Sequence, residues 1–164
     1  MENIYLIGLM GSGKTSIGKV LARKIHRRFV DTDLEVERTL GQTIPEIFAS
    51  QGEEAFRQAE TAALRDLAKR RNRVVSTGGG AVLSKENIEL MRSSGKVVWL
   101  KRRPELILQG KRIRQRPLLA KDPHKIYDIA AEREAIYAGA CHFTVDNNGS
   151  REETVAKILA SLWK

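Results

Sequence analysis

The sequence predicts an α/β fold, a five-stranded parallel sheet with helices on both faces, in a single domain over residues 1–164. Three observations carry that prediction. Short β-rich runs alternate with longer helical patterns along the whole chain, as expected of strands joined by crossover helices. The first run leads straight into a glycine-rich turn, Gly8-Leu9-Met10-Gly11-Ser12-Gly13-Lys14-Thr15, that opens an amphipathic segment. A chain of 164 residues, 41% hydrophobic, is long enough to bury a sheet under a helical layer on each face. No repeat, low-complexity tract or composition shift marks a second domain.

The elements follow in order. A first strand, Asn3–Leu9, feeds the glycine turn and a helix over Lys14–His26. A second strand, Arg28–Val30, precedes Asp31 and a helix over Asp33–Leu40. The next helix, Ile44–Ser50, is announced by Thr43 with Pro45 in the first turn and Glu46 placed for a capping box. Glu53–Arg71 has helical spacing, and Arg73–Ser76 reads as the third strand, ending at Thr77-Gly78-Gly79-Gly80. Ser84 opens a helix over Lys85–Ser93 and Gly95 follows its end. The fourth strand is Lys96–Leu100, then helices Pro104–Lys111 and His124–Gly139, a fifth strand at His142–Val145, and a last helix over Arg151–Trp163.

Composition narrows the function classes. No uninterrupted apolar stretch approaches the roughly 18 residues of a membrane span, so no membrane partner is expected. The chain starts directly on the first strand, leaving no room for a signal peptide, and a cytoplasmic location is expected. One cysteine, Cys141, excludes an internal disulfide and reads as a core filler rather than a nucleophile. Lys and Arg number 29 against 20 Asp and Glu, a net charge of +9. The basic clusters Arg23–Arg28, Lys69–Arg73, Lys101–Arg103 and Lys111–Arg116 admit two readings, a nucleic-acid surface or a field that steers anionic small molecules. The clusters are dispersed and aromatics are only 5%, which argues against a base-stacking platform, so no nucleic-acid partner is expected.

The glycine turn reads G-x-x-x-x-G-K-T, a nucleotide phosphate-binding loop in its strand-loop-helix context. Glycines let backbone N–H groups of Gly11, Ser12, Gly13, Lys14, Thr15 and Ser16 approach phosphate oxygens, and the helix start adds its positive end. Lys14 carries a charge for the β and γ phosphates, and the Thr15 hydroxyl is a ligand type for Mg²⁺. A triphosphate such as ATP is the implied co-substrate. Asp31 and Asp33 stand two apart, a spacing that points both carboxylates the same way if the backbone is extended, one toward metal and one toward substrate. Asp33 alternatively caps the helix that follows it. Gly78, Gly79 and Gly80 allow close backbone approach to a ligand, or make a flexible turn. Arg57 and Glu60 lie one helical turn apart beside Phe56, a pattern that is most often surface charge. Lys111 to Leu119 is either a solvated basic loop or a lid that carries a cation to the transferring phosphate. Ligands in open parallel sheets sit beyond the carboxyl ends of the strands, so the loop, the Asp pair and the triple glycine converge on one crevice.

The combination resembles the shikimate kinase family. The resemblance runs from Ile4 nearly to the C-terminus and rests on G-L-M-G-S-G-K-T at 8–15, V-D-T-D at 30–33, F-R-x-x-E at 56–60, T-G-G-G-A-V at 77–82, R-P-L-L at 116–119 and E-R-x-x-I-Y at 132–137. It implies a P-loop kinase fold with a mobile lid at about 109–122, and transfer of the ATP γ-phosphoryl group to the 3-hydroxyl of shikimate. By the same resemblance, Lys14, Asp33 and Arg116 are the catalytic residues. Thr15 and Asp31 hold Mg²⁺, Asp31 through a water. Arg57 and Arg133 clamp the shikimate carboxylate, and Gly78, Gly79 and Gly80 line the acceptor. Phe48 and Phe56 wall the pocket, Glu60 positions Arg57, and a monomer is implied. Two positions depart from the family pattern. Gln109 stands where an adenine-stacking arginine is common, leaving Lys111 or Arg112 as substitutes, and Ala135 replaces a proline. The adenine loop falls near Asp146–Ser150. Rival readings are another small-molecule kinase, for gluconate or a nucleoside monophosphate, and a catalytically silent nucleotide- or nucleic-acid-binding protein.

Overall fold

Strands β1 (Asn3–Ile7), β2 (Arg28–Asp31), β3 (Arg73–Ser76), β4 (Gly95–Lys101) and β5 (Phe143–Asp146) form one sheet in the order β2-β3-β1-β4-β5, every pair parallel. The architecture is that of a computed structural model, which describes residues 1–110, 119 and 121–163. Helices α1 (Lys14–Lys24), α2 (Thr32–Leu40), α3 (Ile44–Ala68), α4 (Lys85–Ser94), α5 (Pro104–Leu108), α6 (Lys125–Ala140) and α7 (Arg151–Leu162) connect and cover the strands. A parallel sheet needs both faces covered, and strand side chains alternate between them. Ile4 and Leu6 of β1, with Val98 and Leu100 of β4, pack on Ile17 and Leu21 of α1 and Val155 and Ile158 of α7. Tyr5, Ile7, Val97 and Trp99 face the opposite core, built with Leu64, Met91, Ile126 and Tyr137. A satellite cluster of Val36, Ile47 and Phe56 ties α2 to α3. No helix among the described residues is long and apolar enough to cross a membrane.

Several boundaries differ from the sequence-based expectation for local reasons. β1 stops at Ile7, short of Leu9, because Gly8 turns away with φ 147°, where a Cβ would stand 2.5 Å from the Leu100 carbonyl oxygen. α1 ends at Lys24 because His26 adopts φ 55°. The two helices expected over Ile44–Ser50 and Glu53–Arg71 form one element broken at Gly52, whose φ of 87° and ψ of 172° are not helical. The predicted Thr43–Glu46 capping box is present there. Gly95 begins β4 instead of only ending the preceding helix, since a side chain at that point would collide with the Asn3 carbonyl. α5 ends at Leu108, and the last residue expected in it, Lys111, lies outside the described residues. A short 3₁₀ turn, Ala81–Leu83, follows the triple glycine and had no sequence signal.

Candidate active site

At the carboxyl ends of β1, β2 and β3, the phosphate loop, Asp31, Asp33 and Ser76 to Gly79 enclose a cavity of about 560 Å³. The loop curls as its glycines predict. Gly13 caps α1 in the left-handed region, φ 96°, with no side chain to occupy the N–H groups of the first turn. The Lys14 ammonium is folded into the loop, 2.7 Å from both the Gly8 and Leu9 carbonyl oxygens. Gly11, Gly13, Lys14, Thr15 and Ser16 line the cavity. Ser12 does not. It is fully buried beneath the loop, where its N–H donates to the Leu9 carbonyl at 3.1 Å.

The carboxylate pair at 31 and 33 is built differently from an extended strand end. Asp31 is the last residue of β2 and also the N-cap of α2, its Oδ1 accepting from the Asp33 N–H at 2.9 Å and the Leu34 N–H at 3.4 Å. Asp33 therefore sits in the first turn of a helix that starts at Thr32, and the cap is Asp31, not Asp33. The helix start still brings both carboxylates to the cavity. Asp31 Oδ2 accepts from the Thr15 hydroxyl at 3.0 Å, joining α1 to β2 across the mouth of the loop.

A smaller recess of about 90 Å³ adjoins the main cavity, sharing Met10, Asp33, Ile44, Gly78 and Gly79 with it. Its wall holds Arg57, Glu60, Arg133 and the ring pair Phe48–Phe56, whose centroids are 5.1 Å apart. Arg57 Nη1 donates to Glu60 Oε1 at 3.0 Å, so the Arg–Glu pair is internal, with Glu60 only 1% exposed. Burial pushes the Glu60 carboxyl above its usual range, and the Arg57 charge opposes that rise. The glycines have a steric purpose beyond the backbone approach anticipated from sequence. A Cβ on Gly78 would lie 2.8 Å from Glu60 Oε2 and 3.0 Å from Asp33 Oδ1. One on Gly80 would lie 2.7 Å from Arg57 Nη1 and 2.8 Å from its Cζ. Gly79 approaches the Met10 N–H and the Arg133 guanidinium. Thus Gly78 and Gly80 make room for charged side chains, and Gly79 for the backbone of the phosphate loop at Met10. Glu60 Oε2 and Arg133 Nη1 are buried without a hydrogen-bond partner among the described residues, polar capacity that a bound ligand or water would satisfy.

Two residues of the site were not singled out by the sequence. Tyr137, quoted only inside a motif, donates its hydroxyl to the Gly79 carbonyl at 2.6 Å and stacks on Trp99 with centroids 5.6 Å apart. Burial raises its phenol above the usual range. Asn147, inside the loop expected to hold adenine, reaches back to the phosphate loop. Their signal is positional: Tyr137 lies one helical turn after Arg133, and Asn147 directly follows a strand. Gln109 follows α5 as its C-cap and is exposed. Arg116, Lys111, Arg112 and most of the expected lid at 109–122 lie outside the described residues. Cys141 is partly buried against the core. No cluster of three or more His, Cys, Asp or Glu is present among the described residues.

Comparisons with known proteins agree with this geometry. A sequence profile described as "Shikimate kinase" matches residues 10–163. A shikimate kinase of Symbiobacterium thermophilum is 43% identical over 98% of this chain and 95% of its own. One from Moorella thermoacetica is 45% identical over 99% of this chain and 94% of its own. The solved shikimate kinase of Acinetobacter baumannii in complex with shikimate superposes with a TM-score of 0.94 at 40% identity, covering 99% of this chain and 93% of that one. A five-stranded parallel sheet, a phosphate loop at its centre and a profile match over nearly the whole chain lead to one conclusion: this chain belongs to the shikimate kinase family.

Proposed function

We propose that this chain transfers the γ-phosphoryl group of ATP to the 3-hydroxyl of shikimate, giving 3-phosphoshikimate and ADP for aromatic amino-acid synthesis. The observation that carries the reading is the junction of the two cavities. Asp33, Gly78 and Gly79 line both, so an anion held by arginines on one side faces phosphates held by the loop on the other. Arg57 and Arg133 suit a planar carboxylate, whose two oxygens match a guanidinium fork. The Asp33 carboxylate at the junction orients the acceptor hydroxyl toward the phosphate and can take its proton. Gly79 and Gly80 offer backbone to the acceptor's other hydroxyls.

On the nucleotide side, Lys14 exchanges the Gly8 and Leu9 carbonyls for phosphate oxygens, and the Gly11, Gly13 and first-turn N–H groups cradle them. Arg116 brings a further cation from the lid. Thr15 and Asp31 present hard oxygen donors 3.0 Å apart, the chemistry Mg²⁺ prefers. Asp31 already caps α2 and accepts from Thr15, which fits contact through a water better than direct ligation. When bound there, Mg²⁺ supplies neutralisation of β- and γ-phosphate charge. Because phosphoryl transfer asks little covalent work of the protein, positioning and charge dominate. The same reading takes the chain as one domain, a monomer of the cytoplasm, with no nucleic-acid or membrane partner. Two cores packed on the faces of one sheet support the single domain.

The test is ADP release from ATP and Mg²⁺ with shikimate, gluconate or a nucleoside monophosphate as acceptor. Strong dependence on shikimate alone is the expected result. Turnover on gluconate or a nucleotide in its place overturns the assignment.

A further inference from the structure

The side chain best built for a purpose outside the motifs is the amide of Asn147. It stands just past β5, in the loop leading to α7, and is 5% exposed. Its Nδ2 donates to the Ser12 carbonyl, 135 residues away in sequence, at 2.7 Å. Its Oδ1 accepts from the Thr154 hydroxyl at 2.7 Å. The amide orientation is therefore chemically dictated, since the Ser12 carbonyl can only accept. The backbone is held as firmly: Asn147 N–H donates to the Lys101 carbonyl at 2.8 Å, and its own carbonyl accepts from Arg102 Nη1 at 2.6 Å. Next to it, Asn148 Oδ1 accepts the Arg103 N–H at 3.0 Å. The phosphate loop is cut to fit this amide. A Cβ on Gly13 would lie 2.5 Å from Asn147 Nδ2.

We propose that Asn147 is a positioning residue for the nucleotide: through the Ser12 carbonyl it fixes the curvature of the phosphate loop, and through Lys101 and Arg102 it ties that loop to the connections after β4 and β5. The inference rests on the proposed ATP-dependent reaction but concerns a residue with no assigned part in it. Ser12 and Gly13 stand immediately before Lys14, so any loosening at the Ser12 carbonyl is felt by the N–H groups that meet phosphate. Thr154 holds the amide from behind, its hydroxyl also 3.1 Å from the Ser150 carbonyl. The acceptor recess includes none of these residues.

The test compares the parent with Asn147→Asp, Asn147→Ala and Thr154→Val, each checked for cooperative melting. Asp keeps the shape and the contact with Thr154, but cannot donate to the Ser12 carbonyl and places a negative charge beside the phosphates. The KM for ATP and the Kd for ADP are expected to rise about tenfold in Asn147→Asp, the loss of one buried hydrogen bond with added repulsion, while the KM for shikimate stays at the parent value. Asn147→Ala should show a smaller rise and Thr154→Val the smallest, because the amide is then present but less well held. A merely structural part for Asn147 would lower the melting temperature and leave both KM values alone, and that result overturns the proposal. So does an equal rise in both KM values. A parent that binds ADP but shows no shikimate-dependent turnover would instead refute the acceptor assignment, and ADP binding across the variants would still decide the part of Asn147.

Discussion

Replacing Gly80 by alanine gives the sharpest separation between fold and function. The backbone there has φ −99° and ψ 7°, a conformation alanine also adopts, so no strain follows from the main chain. The obstacle is Arg57. Its Cζ would be 2.8 Å from the new methyl, against 3.4 Å or more for an ordinary contact, so the guanidinium must retreat by more than half an ångström. Arg57 is a flexible side chain, one quarter exposed, and can retreat without breaking the core. On the proposed reading its fork then no longer meets the acceptor carboxylate. Misplacement on this scale, or loss of one charge-assisted pair, costs roughly ten- to a hundredfold in kcat/KM for shikimate. Stability should hardly suffer: a glycine-to-alanine change restricts the unfolded chain by about 0.4–1 kcal/mol, and Tm should stay within about 4 °C. Steady-state ADP release at saturating ATP with varied shikimate, beside a melting curve, is the assay. An unchanged KM for shikimate would show that Arg57 does not act where the glycine leaves room for it. A matching rise in the KM for ATP would show that the whole turn had moved.

Other perturbations follow from the same contacts. Glu60 is an acid whose native pKa lies above its unfolded value near 4.5, so its contribution to stability is present below that value and lost as pH rises through the native pKa. Glu60→Gln should therefore gain in Tm relative to the parent as pH is raised from acid to neutral while binding shikimate more weakly; a gap between the two melting curves that does not vary with pH would refute this. His142 Nδ1 accepts from the Val97 N–H at 2.9 Å, and burial, with Arg92 and Lys96 nearby, lowers its pKa from 6.5. The native state resists protonation there, so stability falls as pH drops below 6.5, and His142→Asn should remove that slope in a pH series of melting curves. Tyr137→Phe keeps the stack on Trp99 and deletes the 2.6 Å bond to Gly79, which should cost about 1–3 kcal/mol in denaturant unfolding and raise the KM for shikimate; full parental stability would show that the bond contributes nothing.

How much of this was legible in the sequence depended on whether the signal was local. The phosphate loop, the Thr43 capping box and the β–α alternation are written in neighbouring residues, and the structure has them where expected. The convergence of three motifs on one crevice also followed, because a parallel sheet puts every strand's carboxyl end on one side. The geometry at Asp31 was misread because spacing of two implies a shared face only while the chain stays extended, and helix α2 starts at Thr32. Arg57–Glu60 looked like a surface pair because spacing on a helix cannot say which face is buried. The match of Gly78 and Gly80 to charged groups, and the reach of Asn147 to Ser12, join residues far apart in the chain. No local pattern encodes them.

The central claim is that a carboxylate clamp and a phosphate loop meet at Asp33 so that one particular hydroxyl is phosphorylated. Phosphorus NMR of the products from ATP, Mg²⁺ and shikimate tests it most directly. The account predicts one new phosphomonoester signal, coupled to the ring proton at the 3-position, growing in step with ADP. Inorganic phosphate alone, or a phosphomonoester on a different hydroxyl, would contradict it.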